Sequence, residues 1–152
     1  MEPNSLPWMV HLKSIIPMGY SASISECGGA IIDERTILTA AHCVADSSAR
    51  NMRVQVGSHN KWRSDAYGVE KITVSRHYDY EEDPLNYDIA LLRLSRPLKF
   101  SPKVQPICIQ AEDTIDLPNL LVAGWGYLNG DLNKKETDTL RKVNVDYVKR
   151  KY

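Results

Sequence analysis

The sequence predicts an all-β protein, built as a barrel or a sandwich, from three observations. Short apolar runs recur at intervals of about 8–12 residues, and several of them alternate apolar and polar residues with period two. Turn residues separate the runs. No window of about 12 residues or more shows clean helical periodicity.

The first predicted elements are a strand and a hairpin. Trp8–Leu12 is an apolar run of strand length. Ala30–Ile32 and Thr36–Thr39 are two further apolar runs, and the polar residues Asp33–Arg35 between them form a turn. The pair therefore predicts a β-hairpin.

Three more strands follow. Met52–Val56 alternates with period two and ends at Gly57, and Val69–Val74 alternates again. Ile89–Leu94 has hardly any polar residue, so we expect it to be a more fully buried strand.

A connector follows the strands. Three prolines, which central strands tolerate poorly, fall between residues 96 and 116, namely Pro97, Pro102 and Pro106. Beyond them come the apolar run Leu120–Gly126 and the alternating segment Leu140–Val148, which form one strand pair. Since an isolated hairpin is marginal in water, this pair is expected to begin a second sheet.

Composition excludes several classes of function. Hydrophobic residues make up 43% and charged residues 25%, which is typical of a globular protein, and the formal net charge is zero. No charge excess suggests a nucleic-acid partner, and no apolar run approaches the about 20 residues that span a bilayer. We therefore predict no nucleic-acid and no membrane partner. Residues 1–4 lack the basic and apolar regions of a signal peptide.

Two segments place acid–base side chains beside predicted strands. In Thr39-Ala40-Ala41-His42-Cys43, small alanines hold the imidazole close to the backbone, and Cys43 can fix the turn through a disulfide with its natural partner Cys27. Taken alone, a histidine after a strand is more often structural than catalytic.

The second segment is Asn86-Tyr87-Asp88-Ile89-Ala90, in which an aspartate opens an apolar strand. A carboxylate that is partly buried there must be paired or hydrogen-bonded, and an imidazole N–H is one way to satisfy it. The alternative is a carboxylate that accepts only backbone N–H groups at the start of the strand.

These segments belong to a larger series of motifs, which stand in a fixed order. The motifs are Pro7-Trp8, Cys27-Gly28-Gly29, Ala40-Ala41-His42-Cys43, Asp88-Ile89-Ala90-Leu91 and Gly124-Trp125-Gly126. In this order and with these spacings the sequence resembles the trypsin/chymotrypsin family of serine proteases over nearly its whole length. Each motif alone is weak to moderate as a signal, and five in register are strong.

The resemblance implies a fold and a domain organisation. Residues 1–113 would form an antiparallel Greek-key six-stranded β-barrel, the N-terminal barrel of the trypsin-like fold, together with the start of the connector. Residues 114–152 would form the first strand pair of an incomplete second barrel. The family fold also requires a disulfide between Cys27 and Cys43.

The resemblance also implies roles in catalysis. His42 would act as general base and then general acid, and Asp88 would hold its tautomer and stabilise the imidazolium. The substrate would be a polypeptide. No cofactor and no metal site are predicted, since the three cysteines and four histidines do not stand at zinc-ligand spacings.

The nucleophile is missing from the sequence. The family carries its serine in Gly-Asp-Ser-Gly-Gly downstream of Gly-Trp-Gly, whereas this sequence has no serine after Ser101, and its only Gly-Gly pair is Gly28-Gly29. The activated N-terminus Ile-Val-Gly-Gly is also absent. We therefore expect a truncated fragment, without the second barrel and the specificity pocket, that is inactive alone and gives no substrate preference.

Two further segments concern partners and metals. Cys108 lies in the connector, where related two-chain proteases bond a cysteine to a light chain or propeptide; the alternative is a buried free thiol. Family members that bind calcium do so after the segment that here is Gly57–Asn60. Ser58 replaces an acidic ligand there and Lys61 adds positive charge, so calcium binding is not expected.

Two classes of function remain. The first is a secreted serine endopeptidase, with secretion inferred from the family and the disulfide. The second is a non-catalytic homologue that acts as a binding module. The intact His42 and Asp88 favour the first, because a binding module has no chemical need for either residue.

Overall fold

The computed structural model describes residues 5–110, 120–127 and 137–146, which fold into two β-sheets. Within them the only helix is a 3₁₀ turn at Ala49–Asn51. In chain order the strands are β1 (Met9–Met18), β2 (Ser21–Ile31), β3 (Thr36–Thr39), β4 (Met52–Val56), β5 (Asp65–Val74), β6 (Ala90–Leu94), β7 (Leu120–Gly124) and β8 (Arg141–Val145).

The first six strands form a closed antiparallel barrel. Their order around the barrel is β1-β2-β3-β6-β5-β4, and β4 returns to pair with β1. Every neighbouring pair is antiparallel. The predicted all-β class and the six-stranded barrel are confirmed, and β7 and β8 form the predicted separate strand pair.

The barrel interior is filled by alternate residues of the strands, as the period-two pattern requires. On β4 and β6 every second side chain is buried. The largest fully buried side chains are those of Leu12, Ile31, Ile37, Met52, Leu92 and Leu94. Closing the sheet removes the exposed strand edges that an open sheet of this size would have.

Two strands differ from the sequence prediction for physical reasons. β6 was expected to be more fully buried, but Leu91 and Arg93 are exposed, because alternate side chains point to opposite faces and only one face of β6 lines the barrel interior. β2 begins at Ser21, well before the predicted Ala30. Its first residues are small and mostly exposed, so they carry no apolar alternation that could have indicated a strand.

The two-stranded sheet is attached to the barrel near β4. Trp125, Leu6 and Leu140 form a small buried cluster between them. The backbone adds hydrogen bonds, since Leu140 N donates to His59 O at 2.7 Å and Lys61 N donates to Asp138 O at 3.0 Å. The strand pair therefore packs on the barrel through a distinct apolar contact.

Some predictions fall outside the described residues. The boundary predicted between residues 113 and 114 lies in the interval 111–119, so it stays a prediction, as does the end of the segment predicted at Leu140–Val148. In the described part of the chain, no helix has the length and apolar character needed to cross a membrane.

Candidate active site

Strand pairing brings His42 and Asp88 to the same edge of the barrel. β3 and β6 are antiparallel neighbours, and Thr39 pairs with Ala90 in their register. His42 follows the end of β3 by three residues and Asp88 precedes the start of β6 by two. Antiparallel pairing puts the end of one strand beside the start of the other, so the two side chains meet although 46 positions separate them in sequence.

A short turn holds His42 at the end of β3. Val44 N and Ala45 N both donate to Ala41 O, at 3.0 and 2.9 Å, and Ala41 is fully buried. Such repeated bonds to one carbonyl close a single tight turn. His42 on this turn is left exposed, with its side chain 54% accessible.

A disulfide joins the turn to β2. Cys27 on β2 is bonded to Cys43, the residue directly after His42. Thr39 Oγ1 also donates to Gly28 O at 2.8 Å, one residue further along β2. The turn that carries His42 is thus anchored to the neighbouring strand at two points.

Asp88 contacts His42 through both of its oxygens. Oδ2 lies 2.6 Å from His42 Nδ1, and Oδ1 accepts from His42 N at 2.8 Å. The side-chain hydrogen bond from His42 is the main cause that lowers the pKa of Asp88 below its usual value, and the His42 backbone N–H adds to it. The carboxylate is therefore ionised at neutral pH.

This ionised carboxylate selects the tautomer of the imidazole. Since the carboxylate only accepts hydrogen bonds, Nδ1 carries the proton and Nε2 is left with its lone pair. Among the described residues Nε2 lies 3.5 Å from Cys43 Sγ, which is at most a weak hydrogen-bond partner. The arrangement can take a proton at Nε2 from a substrate or nucleophile.

The residue before Asp88 has an unusual backbone. Tyr87 has φ of 53°, in the left-handed region, and Ile89 N donates to Tyr87 O at 2.7 Å. Its ring also contacts that of His77, with centroids 5.1 Å apart. This tight turn directs Asp88 toward His42 at the start of β6.

The sequence analysis did not predict that two further groups of residues lie near the site. The hydroxyl of Tyr78 is buried, and burial followed by the charge of Asp88 raises its pKa, so it stays neutral. The second group lies next to Cys27 and consists of His11, Glu26 and Lys61, whose side chains contact one another.

The cluster is tightly packed. Lys61 Nζ lies 2.5 Å from Glu26 Oε2, and His11 Nε2 lies 3.3 Å from the same oxygen. Burial raises the pKa of Glu26, but the hydrogen bond from Lys61 and the charges nearby outweigh it, so the pKa is lowered overall. Lys61 thus points into the protein, and no local sequence pattern indicated that placement.

A cavity of about 220 Å³ lies between this cluster and the second sheet. His11, Glu26, Cys27 and Trp125 are among the residues that line it. The rings of His11 and Trp125 meet edge to face, 5.5 Å apart. The Gly-Trp-Gly segment therefore closes the cavity from the side of β7.

Cys108 is the remaining candidate residue. Its thiol is free among the described residues and it is exposed, so the alternative of a buried thiol is wrong. It is distant in sequence from the turn of His42, and the structure does not group it with His42, Asp88 or the disulfide.

Comparison with known proteins gives the family. The family model described as Trypsin matches residues 1–152. The chain belongs to the trypsin family of serine proteases. A solved structure described as "Structure of GrC" matches with a TM-score of 0.80 and 28% identity, covering 95% of this chain and 61% of the other.

Curated trypsin-family relatives come from arthropods and mammals. "Serine proteinase stubble" of Drosophila melanogaster is 37% identical over 81% of this chain, and 16% of its own length is covered. "Clotting factor G beta subunit" of Tachypleus tridentatus is 32% identical over 96% of this chain and 47% of its length. The chain thus spans less than half the length of these relatives.

Proposed function

We propose that His42 and Asp88 are the general base and its orienting carboxylate in a serine endopeptidase site. The single observation that carries this is the 2.6 Å contact between His42 Nδ1 and Asp88 Oδ2, on a histidine whose side chain is more than half exposed. Family membership supports a polypeptide substrate. His11 differs from His42, because its ring is buried, with Nδ1 2.7 Å from Gln55 Oε1 and Nε2 3.3 Å from Glu26 Oε2.

The proton transfers follow from this geometry. His42 Nε2 accepts the proton of a serine hydroxyl as that oxygen attacks the peptide carbonyl, and it then gives the proton to the departing amine. Asp88 keeps Nδ1 protonated and stabilises the imidazolium between these steps. Both of its oxygens are already occupied by His42, so little rearrangement is needed during the reaction.

The chain of 152 residues is proposed to lack activity by itself. It has no serine after Ser101, and in the described residues no hydroxyl is hydrogen-bonded to His42 Nε2. Loss of the serine from a comparable triad lowers kcat by about 10⁶-fold, and the remaining rate depends on an oxyanion hole. Peptide hydrolysis by this chain should therefore not exceed the rate in buffer.

The direct test compares two preparations, the 152-residue chain and the longest product expressed from its gene. If the longer product hydrolyses a fluorogenic peptide and is blocked by a serine-directed phosphonate, His42→Ala should abolish this activity. The matched control is His59→Ala, since in the described structure His59 makes its hydrogen bonds through its backbone carbonyl, which the substitution keeps. Activity that survives His42→Ala would overturn the assignment of the base.

A non-catalytic homologue that binds a partner is the second candidate. The described barrel and its Cys27–Cys43 disulfide form without a nucleophile, which is compatible with this function. The same experiment distinguishes the two functions. A longest gene product that carries no serine in a Gly-Asp-Ser-Gly-Gly motif, and that hydrolyses no peptide, would favour the binding module.

We further propose an oxidising extracellular location and a covalent partner. Disulfides such as Cys27–Cys43 persist mainly in oxidising compartments. The exposed thiol of Cys108 is open to bonding with a light chain or propeptide. A non-reducing gel of the secreted native protein should show a larger species that disappears on reduction and in Cys108→Ser; a monomeric band under both conditions would contradict the partner.

A further inference from the structure

The cavity between the barrel and the two-stranded sheet has a buried nitrogen without a partner in its wall. His11 lines this cavity, and only 4% of the residue is exposed. Its Nε2 is buried and has no hydrogen-bond partner among the described residues. Since buried polar atoms nearly always have a partner, we expect a group inside the cavity to reach Nε2.

The contacts of His11 make this nitrogen an acceptor. Nδ1 lies 2.7 Å from Gln55 Oε1, which only accepts, so Nδ1 carries the proton of the neutral ring and Nε2 keeps its lone pair. Glu26 Oε2 is 3.3 Å from Nε2, but an ionised carboxylate also only accepts. Two acceptors cannot bond to each other, so the missing partner has to be a hydrogen-bond donor.

Glu26 brings a negative charge to the same wall. It is the one acidic residue among the described residues that line the cavity, and its lowered pKa keeps it ionised at neutral pH. Lys61 is outside this lining and contacts Glu26 at Oε2, the oxygen that His11 also approaches. No described residue donates a hydrogen bond to Oε1, which leaves a second acceptor for a ligand.

The rest of the lining leaves room for a flat group. A Cβ added at Gly28 or Gly126 would have no atom within 4 Å, so this part of the wall is bare backbone. The volume of about 220 Å³ is several times the about 30 Å³ that one water occupies in the liquid. Trp125 adds an aromatic ring to the lining, and aromatic faces stack on planar cations.

We propose that this cavity is a binding site for a guanidinium group. A guanidinium has five N–H donors and no acceptor, which matches the free acceptors of His11 and Glu26, and its charge is opposite to that of the carboxylate. An anion would instead meet the charge of Glu26. The group can belong to an arginine side chain of a bound polypeptide or to a free small molecule. The site does not depend on the proposed peptidase function, because neither His42 nor Asp88 lines the cavity.

The test titrates the oxidised 152-residue chain, isotope-labelled for NMR, with ethylguanidinium and with its neutral isostere ethylurea. The measurements are made at about pH 8, where an imidazole is ordinarily neutral. Ethylguanidinium should shift the amide signals of Gly28 and Gly126 and the indole signal of Trp125. We expect a Kd of about 1 mM, within reach of a ligand with so few atoms, and binding of ethylurea at least about 10-fold weaker.

Glu26→Gln keeps an oxygen for Lys61 and removes the charge, so it should weaken ethylguanidinium binding about 10–100-fold. The matched control is Glu34→Gln, which should bind like the parent. The Glu34 side chain is exposed and lies outside the lining, and the carbonyl that accepts from Leu98 N is kept. N-acetylarginine amide distinguishes the two sources. Affinity equal to or above that of ethylguanidinium indicates a polypeptide side chain, and weaker binding indicates a free small cation.

Three results would overturn the proposal. The first is a cavity that holds water only, with no shift of the Gly28, Gly126 and Trp125 signals on addition of ethylguanidinium. The second is equal binding of ethylguanidinium and ethylurea by the parent chain, a comparison that requires no variant to fold. The third is equal affinity of a folded Glu26→Gln and of Glu34→Gln for ethylguanidinium.

Discussion

The adjacent glycines Gly28 and Gly29 on β2 offer a matched pair of substitutions. A Cβ at Gly29 would lie 2.9 Å from Leu38 O and 3.1 Å from side-chain carbons of Ile37 and Val10. A Cβ at Gly28 would have no atom within 4 Å. Gly29→Ala is therefore expected to push β2 away from β3, and Gly28→Ala is not.

The magnitude follows from two opposing effects. Alanine in a strand loses less backbone entropy on folding than glycine, which stabilises either variant by about 0.5–1 kcal/mol. Overpacking costs about 1–3 kcal/mol, and the nearest atom to the new Cβ of Gly29→Ala is a backbone oxygen that cannot rotate away. Because the entropy gain is common to both, the variants should differ by the overpacking cost alone.

Urea unfolding of the oxidised chain, followed by circular dichroism, measures this difference. Gly28→Ala should be as stable as the parent or slightly more stable, and Gly29→Ala should lie about 1–3 kcal/mol below Gly28→Ala with an unchanged m-value. Each kcal/mol corresponds to about 2–4 °C in Tm for a chain of this size. Equal stability of the two variants would refute the close approach of β2 and β3 at Gly29.

Three further predictions concern the site and its supports. Replacing Cys27 and Cys43 together by alanine should lower the free energy of unfolding by about 3 kcal/mol, because the disulfide closes a loop of 16 positions, while Cys108→Ala should change it little. Asp88→Asn should destabilise the chain at pH 7. This deficit should close as the pH falls through the lowered folded-state pKa of Asp88, since the unfolded value is near 3.8. Trp125→Ala should expose the amides of β7 and β8 to hydrogen exchange and spare the barrel.

Each of these has a contradicting outcome. If Cys108→Ala and the double cysteine variant lose equal stability, the disulfide does not contribute the predicted free energy of unfolding. A deficit of Asp88→Asn that stays constant from pH 7 to about pH 2 would contradict the lowered pKa of the carboxylate. Uniform loss of protection in barrel and strand pair after Trp125→Ala would show that the two sheets unfold as one unit.

The strands were predictable where the local pattern and the final environment agree. Met52–Val56 was predicted with the bounds that β4 has, because Val54 and Val56 alternate with polar residues and both point into the barrel. The start of β2 was not predictable, since its small exposed residues are held in the sheet by pairing with β1 rather than by burial. The outer face of β6 shows that an apolar run does not specify burial on both sides.

The sequence motifs predicted which residues belong to the site, and they did not predict how those residues contact each other. The motifs around His42 and Asp88 identify two residues, but their contact depends on the pairing of β3 with β6, which is not encoded near either of them. The contact of Lys61 with Glu26 crosses 35 positions, and the sequence analysis gave no placement for either side chain. Such ion pairs form only when the barrel closes, and a local sequence pattern does not predict that closure.

The two residues of the proposed base lie at one edge of one barrel. His42 follows β3 and Asp88 precedes β6, and the disulfide, the turn at Ala41 and two hydrogen bonds to Asp88 hold them through contacts within the described barrel. A nucleophile placed elsewhere would therefore meet a base whose tautomer is already set. In the proposed function the barrel itself orients the base, so a second domain would have to place only the serine and the oxyanion donors.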